Sequence, residues 1–277
     1  TGTGMGGSRG GTAVAEVVHG MAPEAVMDLH KVSTVVEFGN AVGQAITDDV
    51  DVIVGDVIWS LSGPGDGTGA LADIVSQARL SGVLYVAPAG NYAEQTWSGT
   101  YSDSGSNRHL WTEGQSINWF GPGDGSGWRI PSGYPIRVGL HWDDWTAVDQ
   151  DYDLALYYWD GDAWEYVDGS SRSQDGGGGQ TPQEFISVDA PVEAVYGVVV
   201  WRSGATRDVC LRLTASSPTW RLDELTPDRS LAFPADSPDA LTVGSVDVDS
   251  PFPLESYSSR GPTFGAGGAC IGGAMKP

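Results

Sequence analysis

The feature that most limits the fold is the stretch Gly82 to Asn91, GVLYVAPAGN. Val83 to Ala87 run without a polar break and then stop on Pro88-Ala89-Gly90-Asn91. A continuous apolar run of this length, closed by turn residues, predicts a strand buried on both faces of a parallel sheet. Open α/β sheets present their strand ends to ligands at the carboxyl edge. The polar side chain delivered there is the Asn91 amide, a neutral donor suited to a developing oxyanion.

The neighbouring segments share that rhythm. Val14, Val17, Val18 and Met21 fall at i, i+3, i+4 and i+7, a helical stripe that ends before Pro23. Val26 to Val32 reads as a short strand. Val35 to Thr47 reads as a second helix, with Phe38, Val42 and Ile46 at four-residue steps. Val50 to Trp59 reads as a buried strand, Ser60 to Gly69 as a Gly-rich loop and Ala70 to Leu80 as a third helix. Alternating α and β segments predict an α/β fold with a parallel sheet and crossover helices.

From about Gly114 to Ala215 the period shortens to two. Ile136, Val138, Leu140 and Trp142 alternate with polar or small residues. Further short strands follow at 153–159, 164–167, 185–188, 195–201 and 209–213, with Asp-Gly turns between them. Such spacing predicts a sandwich or jelly roll. Buried-strand character returns at Ala240 to Val248. The expected organisation is an α/β domain over 1–105, an inserted β-sandwich over 106–230, and the continued, truncated α/β domain over 231–277.

Charge narrows the partners. The chain of 277 residues carries a net charge of -22, with 14 Lys and Arg against 36 Asp and Glu. Such a surface repels nucleic acid and anionic membranes. It suits salty surroundings, where screening weakens self-repulsion, and points to a halophilic source. No apolar run is long enough to span a membrane. Cys210 and Cys270 are too isolated for a zinc motif, and their pairing is open at this level. The Gly-rich start and the Lys276-Pro277 end suggest a fragment of a longer protein. Oligomeric state has no signature here.

Four ordered segments carry a family resemblance. They are GGTAVAEVVHGMAP (10–23), DVIVGDVIWSLSG (51–63), GVLYVAPAGN (82–91) and FPADSPDALTVGSVD with YSSRGP (233–262). Together they resemble a subtilisin-like serine protease, a three-layer parallel-sheet fold here interrupted by the β insertion. The resemblance implies an extracellular or cell-envelope serine endopeptidase that works through an acyl-enzyme on polypeptide. Asn91 would be the oxyanion donor. Ser60, Leu61, Ser62 and Gly63 would form an edge pairing with extended peptide. Gly10 occupies the position of the family's catalytic His and can neither take nor return a proton. His19 lies nine residues on, about 180° round the helix and about 13 Å along it, so it cannot substitute. The Asp and Ser segments of the family lie outside this chain, so the chain as it stands is expected to be inactive.

Two further readings belong to the β insertion. Asp149, Asp151 and Asp153 alternate, about 7 Å apart if they share a strand face, as weak candidates for Ca²⁺ against a solvated acidic face. No other cofactor is expected. Trp142, Trp145, Trp159 and Trp164 either fill the sandwich core or stack on a ligand. The alternative function is therefore a non-catalytic pseudoprotease that binds polypeptide or carbohydrate through the groove and the insertion.

Overall fold

Helix α1 (Gly10–Met21) has the expected apolar stripe but buries none of it. The computed structural model describes residues 10–124, 126–216 and 221–276, so the Gly-rich stretch 1–9 lies outside the described residues. Residues 26–32 form no strand. Helix α2 (Val35–Thr47) is better anchored. The Thr34 hydroxyl accepts from the Glu37 N–H at 3.1 Å, and the Glu37 carboxylate accepts from the Thr34 N–H at 3.0 Å. This reciprocal capping box satisfies two end groups of the helix. Phe38, Val42 and Ala45 then face inward, one side of a 3.6-residue period. Strand β1 (Val52–Val54), helix α3 (Ala70–Leu80) and strand β2 (Leu84–Pro88) follow. Leu71, Val75 and Ala78 of α3 share a core with Phe38, Val42 and Tyr85.

Two antiparallel sheets come next. Strands β3 (Thr96–Thr100), β4 (Asn118–Trp119), β5 (Arg129–Ile130), β6 (Pro135–Trp142) and β7 (Tyr152–Trp159) are divided between them. Strands β8 (Trp164–Ser170), β9 (Gln183–Asp189), β10 (Ala194–Arg202) and β11 (Cys210–Ser216) complete them. One sheet runs β4-β10-β7-β8, with β5 paired to β10, and the other runs β3-β11-β6-β9. Ile136, Val138 and Leu140 from one sheet meet Leu154, Leu156 and Val198 from the other in a single apolar core. Trp142 belongs to that core and donates its indole N–H to the Gln150 carbonyl at 2.9 Å.

Strand β12 (Ala240–Val243) returns the chain to β2 and completes a parallel sheet in the order β1-β2-β12. Tyr85 faces Ile53 on one side and Ala240 on the other. Tyr85, Ala87, Ala240 and Thr242 are buried, on the side of the α2 and α3 core. The alternate residues Val52, Val54, Leu84, Leu241 and Val243 are 40% to 53% exposed. Among the described residues the sheet is thus covered on one face only.

This overturns the expected subtilisin-like three-layer architecture. Most strands lie in antiparallel sheets, and the parallel part is three strands with helices on one face. The misreading has a clear cause. An apolar run does not reveal whether both of its faces are covered, because exposed Val and Leu are common on protein surfaces.

Cys210 and Cys270 form a disulfide, with Cα atoms 5.3 Å apart, that ties β11 to the C-terminal segment. Such bonds persist in oxidising compartments. No helix among the described residues is long and apolar enough to cross a membrane.

His109 lies among Trp97, Tyr101 and Trp111, where its Nδ1 accepts from the Ser102 N–H at 3.1 Å. Burial lowers its pKa from 6.5 to about 4. Between those values the unfolded chain binds the proton more readily, so the contribution of this site to stability falls as pH drops through the window. Acidification from pH 6.5 to 4 should cost about 3 kcal/mol at this site. Urea melts across that range should show a shallower pH slope for His109→Gln than for the parent chain.

Candidate functional site

Strands β1 and β2 stay joined as far as the Gly55 N–H, which donates to the Val86 carbonyl at 2.9 Å, and beyond it the segment 230–233 passes between Trp59 and Ala89. Phe233 and Trp59 exchange both main-chain bonds, at 2.9 and 3.0 Å, and the Ala232 N–H donates to the Ala89 carbonyl at 2.8 Å. Gly90 follows at φ 105°, and a Cβ there would come within 2.9 Å of the Ala232 Cβ. Only glycine fits that approach without strain. The Ser259 N–H donates to the Gly90 carbonyl at 2.8 Å, and the Ser259 hydroxyl accepts from the Tyr92 N–H at 2.9 Å. The chain between these bonds is fixed, and it delivers Asn91 to the surface with its side chain exposed.

The Ser60–Gly63 segment lies at the same edge. The Ser60 side chain lies beside the Tyr92 phenol, one residue from Asn91. The pKa of Tyr92 is raised, chiefly by burial, while Arg212 and the Ser60 side chain oppose the shift. Leu61 sits directly on β6 at Gly139, where any Cβ would overlap it. The His141 ring donates through Nδ1 to the Gly63 carbonyl at 3.1 Å. Burial, with Arg212 beside it, lowers the His141 pKa from 6.5 to about 3. The ring is therefore neutral and acts as a strut. Among the described residues, the main-chain groups of Ser60, Leu61 and Ser62 have no partner within the protein. These residues are half-buried.

Beneath this edge lies a charged pair. Arg212 projects from β11, donates through Nη2 to the Leu231 carbonyl at 2.8 Å, and lies 5.7 Å from the Phe233 ring centre. Asp236 accepts from the Gly67 N–H at 3.1 Å. Both are buried. Burial raises the Asp236 pKa to about 6 and lowers that of Arg212 to about 10, although each opposes the other's shift. Desolvation therefore outweighs their attraction, as expected when two buried charges are not in direct contact. Arg212 Nε and Asp236 Oδ1 lack hydrogen-bond partners among the described residues.

The remaining sequence candidates scatter. Gly10 opens α1, and a Cβ on its neighbour Gly11 would lie 4.0 Å from the Asp56 carboxylate, just beyond β1. Asp149 and Asp151 lie in the loop before β7, and Asp153 lies on the strand. Asp149 accepts from the Gln150 side chain at 2.7 Å, and Asp151 accepts from the Gln174 N–H at 3.3 Å. Among the described residues no group of three His, Cys, Asp or Glu side chains could hold a metal ion. Trp142 is in the core, while Trp159 and Trp164 pack on each other with ring centres 5.5 Å apart. Trp145 packs edge-on to His141, with ring centres 6.1 Å apart. No histidine among the described residues hydrogen-bonds a serine hydroxyl: His30 bonds Asp28, His109 bonds the Ser102 main chain and His141 bonds Gly63.

Tyr92, His141, Arg212 and Asp236 carry the site and were not singled out from the sequence. One signal was present. In CLRLT a charged residue interrupts an apolar strand, and a buried Arg needs a partner beyond its own sheet.

No family model matches the chain. No curated protein matches it either. Among solved structures, the chain is similar to the CspB protease of Clostridium perfringens, at 13% identity and a TM-score of 0.55. That match covers 89% of this chain and 52% of the protease, so the chain spans about half the length of that structure. The pre-peptidase C-terminal domain of a Bacillus anthracis collagenase matches 48% of the chain at 10% identity and a TM-score of 0.30, over 96% of that domain. A Yersinia pseudotuberculosis mitogen matches 44% at 13% identity and a TM-score of 0.28, over 82% of its own length. The last two scores are too low to carry an argument.

The chain therefore shares a fold at a distance with a clostridial protease. The resemblance to subtilisin-like serine proteases does not stand, because the architecture is mostly antiparallel β. Of the four segments behind it, the first is helix α1 and the others are short strands with Gly-rich turns, elements that many folds use.

The buried pair gives a test. Arg212→Met leaves Asp236 without its compensating charge and should lower stability in urea by about 3 kcal/mol. Adding Asp236→Asn should recover part of that loss; a strictly additive double variant would show that the two groups are uncoupled.

Proposed function

We propose that this chain is a protease-related module that binds extended polypeptide at the carboxyl edge of its parallel sheet. The observation that carries this reading is the unpaired main chain of Ser60, Leu61 and Ser62 beside the exposed Asn91 amide. An extended peptide can supply alternating carbonyl and N–H partners to such an edge, with side-chain pockets setting preference. Leu61 on Gly139 and His141 on Gly63 hold the edge in place before a ligand arrives. A preset edge loses less entropy on binding. Asn91 donates from its side-chain amide to a peptide carbonyl. The likeness to a clostridial protease is compatible with this reading and adds only the fold.

The partner is polypeptide rather than nucleic acid, given a net charge of -22. The disulfide fits an extracellular or cell-envelope setting. Binding, not bond cleavage, is what the chain's described residues support, since an acyl transfer needs a nucleophile with an adjacent base.

Fluorescence anisotropy with labelled, unstructured casein peptides tests the edge. Ser62→Pro removes one N–H donor and should weaken binding about tenfold. Asn91→Ala should weaken it by a similar factor while leaving the urea midpoint unchanged. Equal affinities for parent and both variants would rule this edge out. Labelling by a fluorophosphonate would contradict the non-catalytic part of the reading.

A further inference from the structure

An open cleft of about 430 Å³ lies on the outer face of the β7-β8-β10 sheet, away from the edge just described. Ala155 of β7 lines its base, with Trp201 of β10 alongside. Tyr157 and Tyr166 stand on one side, their rings 5.8 Å apart and 79° to each other. Tyr166 is 61% exposed, yet its position is constrained. The pairing of β7 with β8 shifts register between Leu156 and Tyr157, a bulge that turns the Tyr166 side chain. A Cβ at Gly169 would come within 2.8 Å of the Tyr166 hydroxyl, so that side chain lies close against the strand. An aromatic surface is thus held toward solvent beside a polar wall.

The polar wall has a definite charge pattern. Asp153 and Ser203 both line the cleft. Arg202 also lines it, but its guanidinium pairs with Asp208 and lies 4.3 Å over the Tyr101 ring. Arg108 stacks on Trp201 at 4.2 Å. The Ser170 hydroxyl is committed to the buried Glu184 carboxylate. Asp153 therefore supplies an acceptor, and Arg202 and Arg108 are already engaged. A cleft of this size with aromatic faces and a few fixed polar groups has the usual composition of a small-molecule site.

We propose that this cleft binds a neutral oligosaccharide, with a sugar ring stacked on Tyr166 and a hydroxyl donated to Asp153. A sugar ring has an apolar C–H face for the aromatic surface and hydroxyl groups at its rim for carboxylate and serine partners. This site is separate from the proposed peptide edge, and neither reading needs the other.

Calorimetry and tryptophan fluorescence of the whole chain test it, using neutral hexasaccharides of glucose, xylose, mannose and N-acetylglucosamine. A galacturonate hexamer and a lysine-rich peptide serve as charged probes. At least one neutral sugar should bind with a millimolar or tighter Kd. Tyr166→Ala should weaken that binding about tenfold or more, Tyr166→Phe should retain it, and Asp153→Asn should weaken it less than Tyr166→Ala. The exposed position of Tyr166 leaves the fold intact in these variants, which circular dichroism checks. No binding of any neutral sugar at millimolar concentration would overturn the proposal. So would an affinity indifferent to Tyr166→Ala, or a preference for either charged probe.

Discussion

The pairing of Phe233 with Trp59 holds the two halves of the molecule in register. Both main-chain bonds of that bridge are made, and Ala232 bonds Ala89 in the same segment. One strip of chain thereby closes the carboxyl ends of β1 and β2. It also receives the Arg212 guanidinium from β11 through the Leu231 carbonyl. The antiparallel sheets and the parallel sheet are joined through this strip, with Leu61 on Gly139 and His141 on Gly63 as flanking contacts. Beyond this bridge the strip bonds elsewhere: Ala232 donates to Ala89, Leu231 accepts from Arg212 and Ser230 donates to Arg260. Ser60–Ser62 therefore present an open edge.

Electrostatics shape the same junction from below. Arg212 and Asp236 are buried without a direct ion pair, and burial shifts both pKa values against charge. Such an arrangement is poor value in stability alone, since apolar residues of similar volume often do as well. It does fix direction: Arg212 reaches only Leu231 if β11 and the 230–233 strip keep their relative position. Neutral His141 and His109 add acid sensitivity without adding charge at neutral pH. The large negative charge remains on the surface, where it selects against nucleic acid.

Local structure was legible in the sequence where a single period decides it. The helices α2 and α3 follow from four-residue apolar steps, and the segments β6 to β11 follow from alternation and turn residues. The parallel sheet was over-read. Val52, Val54, Leu241 and Val243 are apolar by identity yet exposed, so sequence alone implied a layer that the described residues do not form. Helix α1 itself was legible, but its stripe is not buried, since a stripe shows what could be buried, not what buries it. Asn91 and Ser60 were legible as strand-end residues. Their connection through Tyr92, and the Arg212–Asp236 pair below, were not. Those contacts join residues more than twenty positions apart, and no local pattern encodes them.

Amide hydrogen exchange at Ser60, Leu61 and Ser62 tests the central claim most directly. In the free chain these three amides should exchange fast, while Trp59 and Phe233, which bond each other, should be protected. Saturation with unstructured casein peptide should slow exchange at the three amides and leave the sandwich strands unchanged. Protection of Ser60–Ser62 in the free chain would contradict an open edge. Unaltered exchange in the presence of bound peptide would contradict its role in binding.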